Sequence, residues 1–164
     1  MYGSKWIRIG SISGALGVSL GALGAHAVQS ALQTKTESGA MTGEVMTRIL
    51  ENWSTATQYM MYHSIAIVLV GLVAIHVCSK LLTYAGIFFT AGITGFSLGL
   101  LLYNIMLITS GTKIVLLVAA VVPLGGICFI IGWVCLAAAL WSGNTCQAPQ
   151  QAPPQSSLDN SKDV

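Results

Sequence analysis

The chain has 164 residues, enough for one compact domain, but only 7% are charged and 54% are hydrophobic. A soluble domain carries about 25% charged residues, so seven Lys/Arg and five Asp/Glu cannot cover a surface that faces water. A net charge of +2 without a basic stripe also excludes a nucleic-acid binder, because little is available to neutralise phosphates. The composition therefore predicts an integral membrane protein whose main partner is the lipid bilayer.

Four apolar runs each reach the length of about 20 residues that a helix needs to cross a bilayer. The predicted spans are residues 7–29, 55–78, 82–108 and 114–140. The apolar runs within them contain no charged residue, and the two later connectors are short and polar. Helices joined so closely must be antiparallel neighbours. We therefore predict an all-α, four-helix membrane bundle over residues 1–141.

The first run also resembles a cleaved signal peptide, because Lys5 and Arg8 precede it and Ala25-His26-Ala27 follows. Against this interpretation, the run contains five glycines spaced 4, 3, 4 and 3 residues apart: Gly10, Gly14, Gly17, Gly21 and Gly24. Glycine is a poor residue for an isolated hydrophobic core, but at this spacing it forms a groove in which another helix can pack. The pattern favours a retained membrane helix.

Residues 30–52 carry five of the twelve charged residues of the protein. Within and just after this connector, apolar residues recur at helical spacing: Val45, Met46, Ile49, Leu50 and Trp53. Two interpretations remain open for this stretch. It is either a short amphipathic helix on the membrane surface before the second span, or an N-terminal extension of that span.

The composition changes abruptly after Trp141. Residues 142–164 are rich in Gln, Pro, Ser and Asn and have almost nothing to bury. They are predicted to form a disordered polar tail.

Small residues also mark the later helices. The third span has a stripe of Gly92, Gly95 and Gly99, which predicts close helix packing. The fourth contains Pro123 with Gly125 and Gly126, which predicts a kink because proline removes a backbone hydrogen bond. A helix broken at this point can line a transporter site, but the same residues also suit a plain kink.

An antiparallel bundle would place seven polar or aromatic residues in one leaflet: His26, Gln58, Tyr59, Tyr62, His63, Tyr103 and Asn104. Ionisable groups inside a membrane suggest a functional site, and imidazole can relay a proton or ligate a metal. The same side chains can instead hold helices together by hydrogen bonds. Because two histidines lack a third ligand in view, we predict no metal and no cofactor. With no nucleophile–base pair or carboxylate pair in the sequence, we predict no enzyme activity.

Several of these residues belong to motifs that resemble a known family. Gly24-Ala-His26-Ala27 and the stretch from Trp53 to Ala66 resemble the two signature stretches of the family called domain of unknown function 423, whose eukaryotic members are called transmembrane protein 256. Later matches lie at residues 85–88, 96–97, 123–126 and 132–133. The resemblance covers about residues 7–140 and implies a multi-pass membrane protein of about four helices. It implies no activity, catalytic residue or cofactor.

The sequence departs from the family pattern at three places. Met60 stands where the family commonly has Gln, and Leu98-Gly99 replace a Gly-Ser pair. The tail after Trp141 has no counterpart in the family.

Two functional hypotheses follow from the sequence. The first is a structural or accessory membrane component that packs as a homo-oligomer or within a larger membrane complex. The alternative is a small oligomeric transporter or channel that uses the His/Tyr polar site. The family resemblance implies a bacterial inner or plasma membrane, or an organelle membrane in a eukaryote. Four basic residues against three on the opposite side favour cytoplasmic termini.

Overall fold

The structure is a computed structural model that describes residues 2–109 and 113–142, and every regular element in those ranges is helical. In chain order the elements are α1 (Tyr2–Leu23), the π-helical segment π1 (Gly24–Val28), α2 (Gln29–Glu37), α3 (Gly43–Val73), α4 (Lys80–Gly92), the π-helical segment π2 (Ile93–Leu98), α5 (Gly99–Thr109) and α6 (Lys113–Trp141). Four helices are long and apolar enough to cross a membrane. The predicted all-α membrane bundle is confirmed.

The two π-helical segments do not interrupt the helices that contain them. The first membrane helix runs through α1, π1 and α2, the second is α3, the third runs through α4, π2 and α5, and the fourth is α6. They alternate in direction. One end of the bundle, which we call the terminal end, therefore contains the start of α1, the end of α3, the start of α4 and the end of α6. We call the opposite end the hairpin end.

The first membrane helix is longer than the span predicted for it. The apolar helix covers Gly3–Glu37, 35 residues, or about 52 Å at 1.5 Å per residue, against about 30 Å of hydrocarbon. The charged residues Lys35, Glu37 and Glu44 therefore extend past the hydrocarbon at the hairpin end. The turn between α2 and α3 contains Gly39 at a φ of 74°, a conformation that glycine adopts without a Cβ clash.

The structure settles the two interpretations of the segment before the second span. Residues 43–54 are the first turns of α3, continuous with the membrane-crossing part, and correspond to the N-terminal extension rather than to a separate surface helix. The Thr42 side chain caps the helix by accepting a hydrogen bond from the backbone N–H of Val45. Ile49 and Trp53 turn inward and are buried. At its other end α3 stops at Val73, five residues before the predicted boundary, so that Ser79 can cap α4.

The second and third membrane helices form the centre of the bundle. The first packs along α3, and the fourth packs along α4, π2 and α5. Most of the first and fourth helices is therefore exposed. The main core cluster joins the helices around a few large side chains: Trp6, Met60, Ile67, Phe89 and Phe129.

Glycines of α1 lie along α3 in antiparallel order. A Cβ on Gly10 would lie 2.7 Å from the Ser64 carbonyl oxygen, whereas a Cβ on Gly14 would lie 3.7 Å from the Ser64 Cβ. Gly17 lies beside Met60, Gly21 beside Thr57, and Gly24 against the Trp53 indole. Within the predicted stripe, only Gly10 and Gly24, at its two ends, lie so close to α3 that a Cβ would clash with it.

The predicted glycine stripe of the third helix faces α6. Gly92 lies against the Phe129 ring, and Gly99 faces Val122, which a Cβ would approach to 3.4 Å. Between them, a Cβ on Gly95 would lie 3.2 Å from the Gly125 Cα, so two backbones meet at this point.

The residues predicted to kink the fourth helix lie inside one continuous element. α6 runs from Lys113 to Trp141 with Pro123 within it. The irregular backbone lies in π2 of the neighbouring helix, opposite Gly125. Gly126 is half-buried and open enough that a Cβ would meet the Phe96 ring at 3.8 Å. The tail predicted from residue 142 lies, apart from Ser142, outside the described residues.

Candidate functional site

His63 is the buried ionisable residue of the predicted site. It lies on α3, next to Ser64, which packs beside Gly14 of α1. Its Nδ1 is 2.8 Å from the Tyr59 carbonyl oxygen, one helical turn earlier. Its Nε2 is 3.4 Å from Nε1 of Trp133 on α6.

The two contacts define the protonation state of the imidazole. The Trp133 indole N–H can only donate, so Nε2 must accept and is unprotonated. The proton then lies on Nδ1, which donates to the carbonyl of Tyr59. This neutral tautomer uses both ring nitrogens within the bundle.

Aromatic rings cover the imidazole. The Phe129 ring is stacked on it at a centroid separation of 3.5 Å and an interplanar angle of 9°. Phe89 approaches to 5.7 Å and itself meets Trp133 edge to face at 5.2 Å. The four residues His63, Phe89, Phe129 and Trp133, which we call the His63 cluster, thus join three membrane helices.

The polar neighbours of His63 on α3 differ in their contact with it. The side chains of Gln58, Tyr59 and Tyr62 are all exposed. The Tyr59 ring nevertheless stacks on His63 at 5.9 Å between ring centroids and lies 4.8 Å from Phe96. Gln58 instead donates from Nε2 to Oγ of Ser54 at 3.2 Å. Of the three residues, Tyr59 is therefore the one that the structure brings to the imidazole, at the surface of the bundle.

Asn104 belongs to a second, separate polar contact. Its side chain is fully buried and donates to the Ile49 carbonyl oxygen at 3.3 Å. Its Oδ1 accepts from Nδ2 of Asn52 at 3.2 Å. Asn52 and His63 are eleven residues apart on α3, or about 16 Å along the helix axis. The contact ties α5 to α3 near the hairpin end.

His26 and Tyr103 do not join either contact. His26 is exposed within π1, and Tyr103 is half-buried on α5. Gly24, two residues before His26, lies at the level of Trp53, whereas His63 lies ten residues further along α3. The predicted polar residues therefore divide into the His63 cluster, the Asn104 contact and exposed side chains.

The sequence interpretation missed the partners that bury His63. Trp133 and Phe129 lie four residues apart on α6, and neither belongs to the predicted polar site. The sequence did contain one signal, the glycine Gly132 next to Trp133. Glycine at this position lets Phe89 approach α6, since a Cβ at Gly132 would lie 2.7 Å from the Phe89 ring. Asn52 was missed because it had been assigned to the connector.

The arrangement offers no set of groups for metal binding. Among residues 2–109 and 113–142, no three His, Cys, Asp or Glu side chains are grouped so that they could hold a metal ion. The one buried side-chain oxygen or nitrogen without a hydrogen-bond partner in those ranges is Oγ of Ser97, in π2. The described chemistry is that of uncharged hydrogen bonds and stacked rings.

Comparison with known proteins bears on the same residues. The model of a family described as "Protein of unknown function (DUF423)" matches residues 20–126, which include the Asn104 contact and His63 but neither Phe129 nor Trp133. UPF0382 membrane protein YwdK of Bacillus subtilis (strain 168) is 34% identical over 139 residues, which are 82% of this chain and 94% of that protein.

A second membrane protein is similar to this chain over most of its length. UPF0382 membrane protein SAB0533 of Staphylococcus aureus (strain bovine RF122 / ET3-1) is 33% identical over 131 residues, 80% of this chain and 90% of its own length. No solved structure matches this chain. The relatives are membrane proteins, the matched region includes parts of all four membrane helices, and the chain belongs to the DUF423 family.

Proposed function

We propose that the chain is a non-catalytic accessory membrane protein that binds a transmembrane helix of a larger complex, or of a second copy, in a groove between α1 and α3. The observation that carries this proposal is that the glycines of α1 are only partly covered by α3. Gly14 and Gly21 are half-buried, and a Cβ on Gly21 would lie 4.0 Å from Thr57.

The groove consists of two openings on the line between the two helices. One, of about 220 Å³, is lined by small residues of α1, including Ser11 and Gly14, and by Met61 and Ile65 of α3. The other, of about 250 Å³, lies further along the first membrane helix and is lined by Ala25 of π1 and Gln29 of α2, with Leu50 and Ser54 of α3 across from them. Small residues on a lipid-facing surface let a further helix approach closely, and packing then stabilises the contact.

The polar residues support a packing role more than transport. Both nitrogens of His63 are hydrogen-bonded inside the bundle, and Asn104 is bonded to two partners on α3. Groups bonded in this way hold helices together, whereas a proton carrier must exchange partners.

The test is co-purification from native membranes in a mild detergent with two variants that fill the groove, Ser11→Phe and Ala25→Phe. Both side chains are exposed, so the bundle itself can accommodate the larger ring. The matched control is Leu16→Phe, on a lipid-facing position that the groove does not include. We expect the groove variants to lose a partner that the wild type and the control retain.

The alternative transport function has its own measurement. Purified protein in liposomes should show no proton or solute flux above empty liposomes. Flux that falls on substitution His63→Ala or His26→Ala would overturn the accessory role, as would a partner that remains bound to both groove variants.

A further inference from the structure

The terminal end of the bundle carries positive charge without negative charge in the described part of the chain. Lys5, Arg8 and Lys80 lie there, whereas Glu37, Glu44 and Glu51 all lie toward the hairpin end. Such an end attracts anions at the membrane surface.

A cavity of about 440 Å³ opens at this end beside the turn from α3 to α4. This volume lies within the range of small-molecule sites, roughly 300–1,000 Å³. Its lining includes the polar residues Ser79, Lys80 and Thr83. Its apolar lining includes Trp6 and Leu82, both buried.

We propose that this cavity binds the phosphate headgroup of an anionic phospholipid. Lys80 supplies the positive charge, and the hydroxyls of Ser79 and Thr83 can donate to phosphate oxygens. The apolar wall of Trp6 and Leu82 accommodates the glycerol and the first carbons of an acyl chain. A free phosphate ion would use the polar wall alone, so the mixed lining favours a lipid.

The surroundings of the cavity place it where headgroups lie. Lys5 Nζ lies 4.6 Å from the centroid of the Trp6 ring, and Tyr84, which also lines the cavity, is 51% exposed. Tryptophan, tyrosine and lysine together are typical of the interface between hydrocarbon and water.

The experiment measures which lipid the full-length protein retains. The protein is reconstituted in nanodiscs that contain equal amounts of phosphatidylglycerol and phosphatidylcholine, extracted into mild detergent, and analysed for bound lipid by native mass spectrometry. We expect phosphatidylglycerol to be retained preferentially. Lys80→Gln should reduce that preference about five-fold, since one basic residue near an anionic surface contributes about 1 kcal/mol and 1.4 kcal/mol is tenfold.

Two further variants make the result specific. Thr83→Leu removes one hydroxyl and fills part of the cavity, so it should also lower retention while the positive charge is unchanged. Arg48→Gln removes one positive charge at the hairpin end, where Arg48 forms only an exposed pair with Glu44 at 3.8 Å, and it should leave retention unchanged. Circular dichroism of each variant verifies that the helices are intact.

The outcomes separate the sources of phosphate. Equal retention of the two lipids, or a preference unaffected by Lys80→Gln, would overturn the proposal. Binding of inorganic phosphate to delipidated protein in detergent, abolished by Lys80→Gln and without any lipid preference, would show a site for the free ion and would also overturn it. The groove between α1 and α3 takes no part in this measurement.

Discussion

His63 shows how a polar residue can be accommodated between apolar membrane helices. Its imidazole accepts a hydrogen bond from Trp133, donates one to the Tyr59 carbonyl and stacks on Phe129. Each contact removes a polar atom or ring face from lipid. A buried polar group that is fully bonded stabilises one arrangement of helices, because any other arrangement would leave it unpaired.

We expect the pair of His63 and Trp133 to be energetically coupled. In a double-mutant cycle with His63→Leu and Trp133→Phe, the coupling should lie between about 0.6 and 1.7 kcal/mol, as for other hydrogen bonds between membrane helices. Trp133→Phe keeps an aromatic ring against Phe89, so the cycle isolates the N–H donor. Unfolding in detergent followed by circular dichroism measures the four free energies. Additive effects of the two substitutions would contradict the hydrogen bond.

The glycines of α1 should differ in their tolerance of a methyl group. Gly10→Ala would place a Cβ 2.7 Å from a backbone oxygen of α3, so we expect a loss of about 1–3 kcal/mol from overpacking. Gly21→Ala meets its nearest atom at 4.0 Å and should be neutral, or stabilising by up to about 1 kcal/mol through the lower entropy of the unfolded chain. Thermal unfolding of both variants in one detergent provides the comparison. Equal destabilisation by the two substitutions would show that α1 does not pack against α3 as the structure describes.

At the scale of whole elements, the contact between the third and fourth membrane helices depends on a crossing of two backbones. Gly95 and Gly125 meet there, and π2 provides the local change of helical geometry opposite α6. π-helical turns inside α-helices frequently occur at functional sites. Here π2 lies at a close helix crossing and contains Oγ of Ser97, which has no hydrogen-bond partner in the described part of the chain.

Adjacent glycines of α6 provide a matched test of that crossing. A Cβ on Gly125 would lie 2.6 Å from the Gly95 carbonyl carbon and 2.8 Å from the Phe96 Cα, and neither backbone atom can move as a flexible side chain does. Gly125→Ala should therefore destabilise the bundle by at least about 1–3 kcal/mol. Gly126→Ala, whose Cβ would lie 3.8 Å from the Phe96 ring, should leave stability nearly unchanged. The midpoint of denaturant unfolding distinguishes the two variants, and the reverse order would rule out this crossing.

For the molecule as a whole, the even number of antiparallel membrane helices brings the start of α1 and the end of α6 to the same end. That terminal end carries Lys5, Arg8 and Lys80 in the described residues, and basic residues near membrane helices favour the cytoplasmic side. In the sequence Lys162 adds a fourth basic residue on the side of the termini, whereas the other side has three, Lys35, Arg48 and Lys113.

We therefore expect both termini to be cytoplasmic. Reporter fusions at residue 1 and at residue 164, read by a cytoplasm-active fluorescent protein and a phosphatase active only outside, should both report the cytoplasm. Two fusions on opposite sides would contradict four crossings. Two fusions outside would leave the bundle intact but reverse its orientation.

The sequence alone determined the membrane class, the four helices and the positions of glycine seams, because charge content and apolar run length depend on local composition. Gly10 and Gly21 could be assigned to one helix face from their spacing. Their different closeness to α3 could not be assigned, since it depends on the axial register and separation of two helices.

The tertiary structure alone decided which polar residues meet. The predicted spans place His26, His63 and Asn104 in one leaflet. In the structure α3 begins at Gly43, well before residue 55, where the second span was predicted to begin. His63 therefore lies further from the hairpin end than the prediction placed it. Trp133 reaches His63 because α6 packs close to α4 at Gly132, a contact between residues far apart in the chain. Local periodicity specifies a face on one helix, whereas a site requires faces of several helices at the same depth.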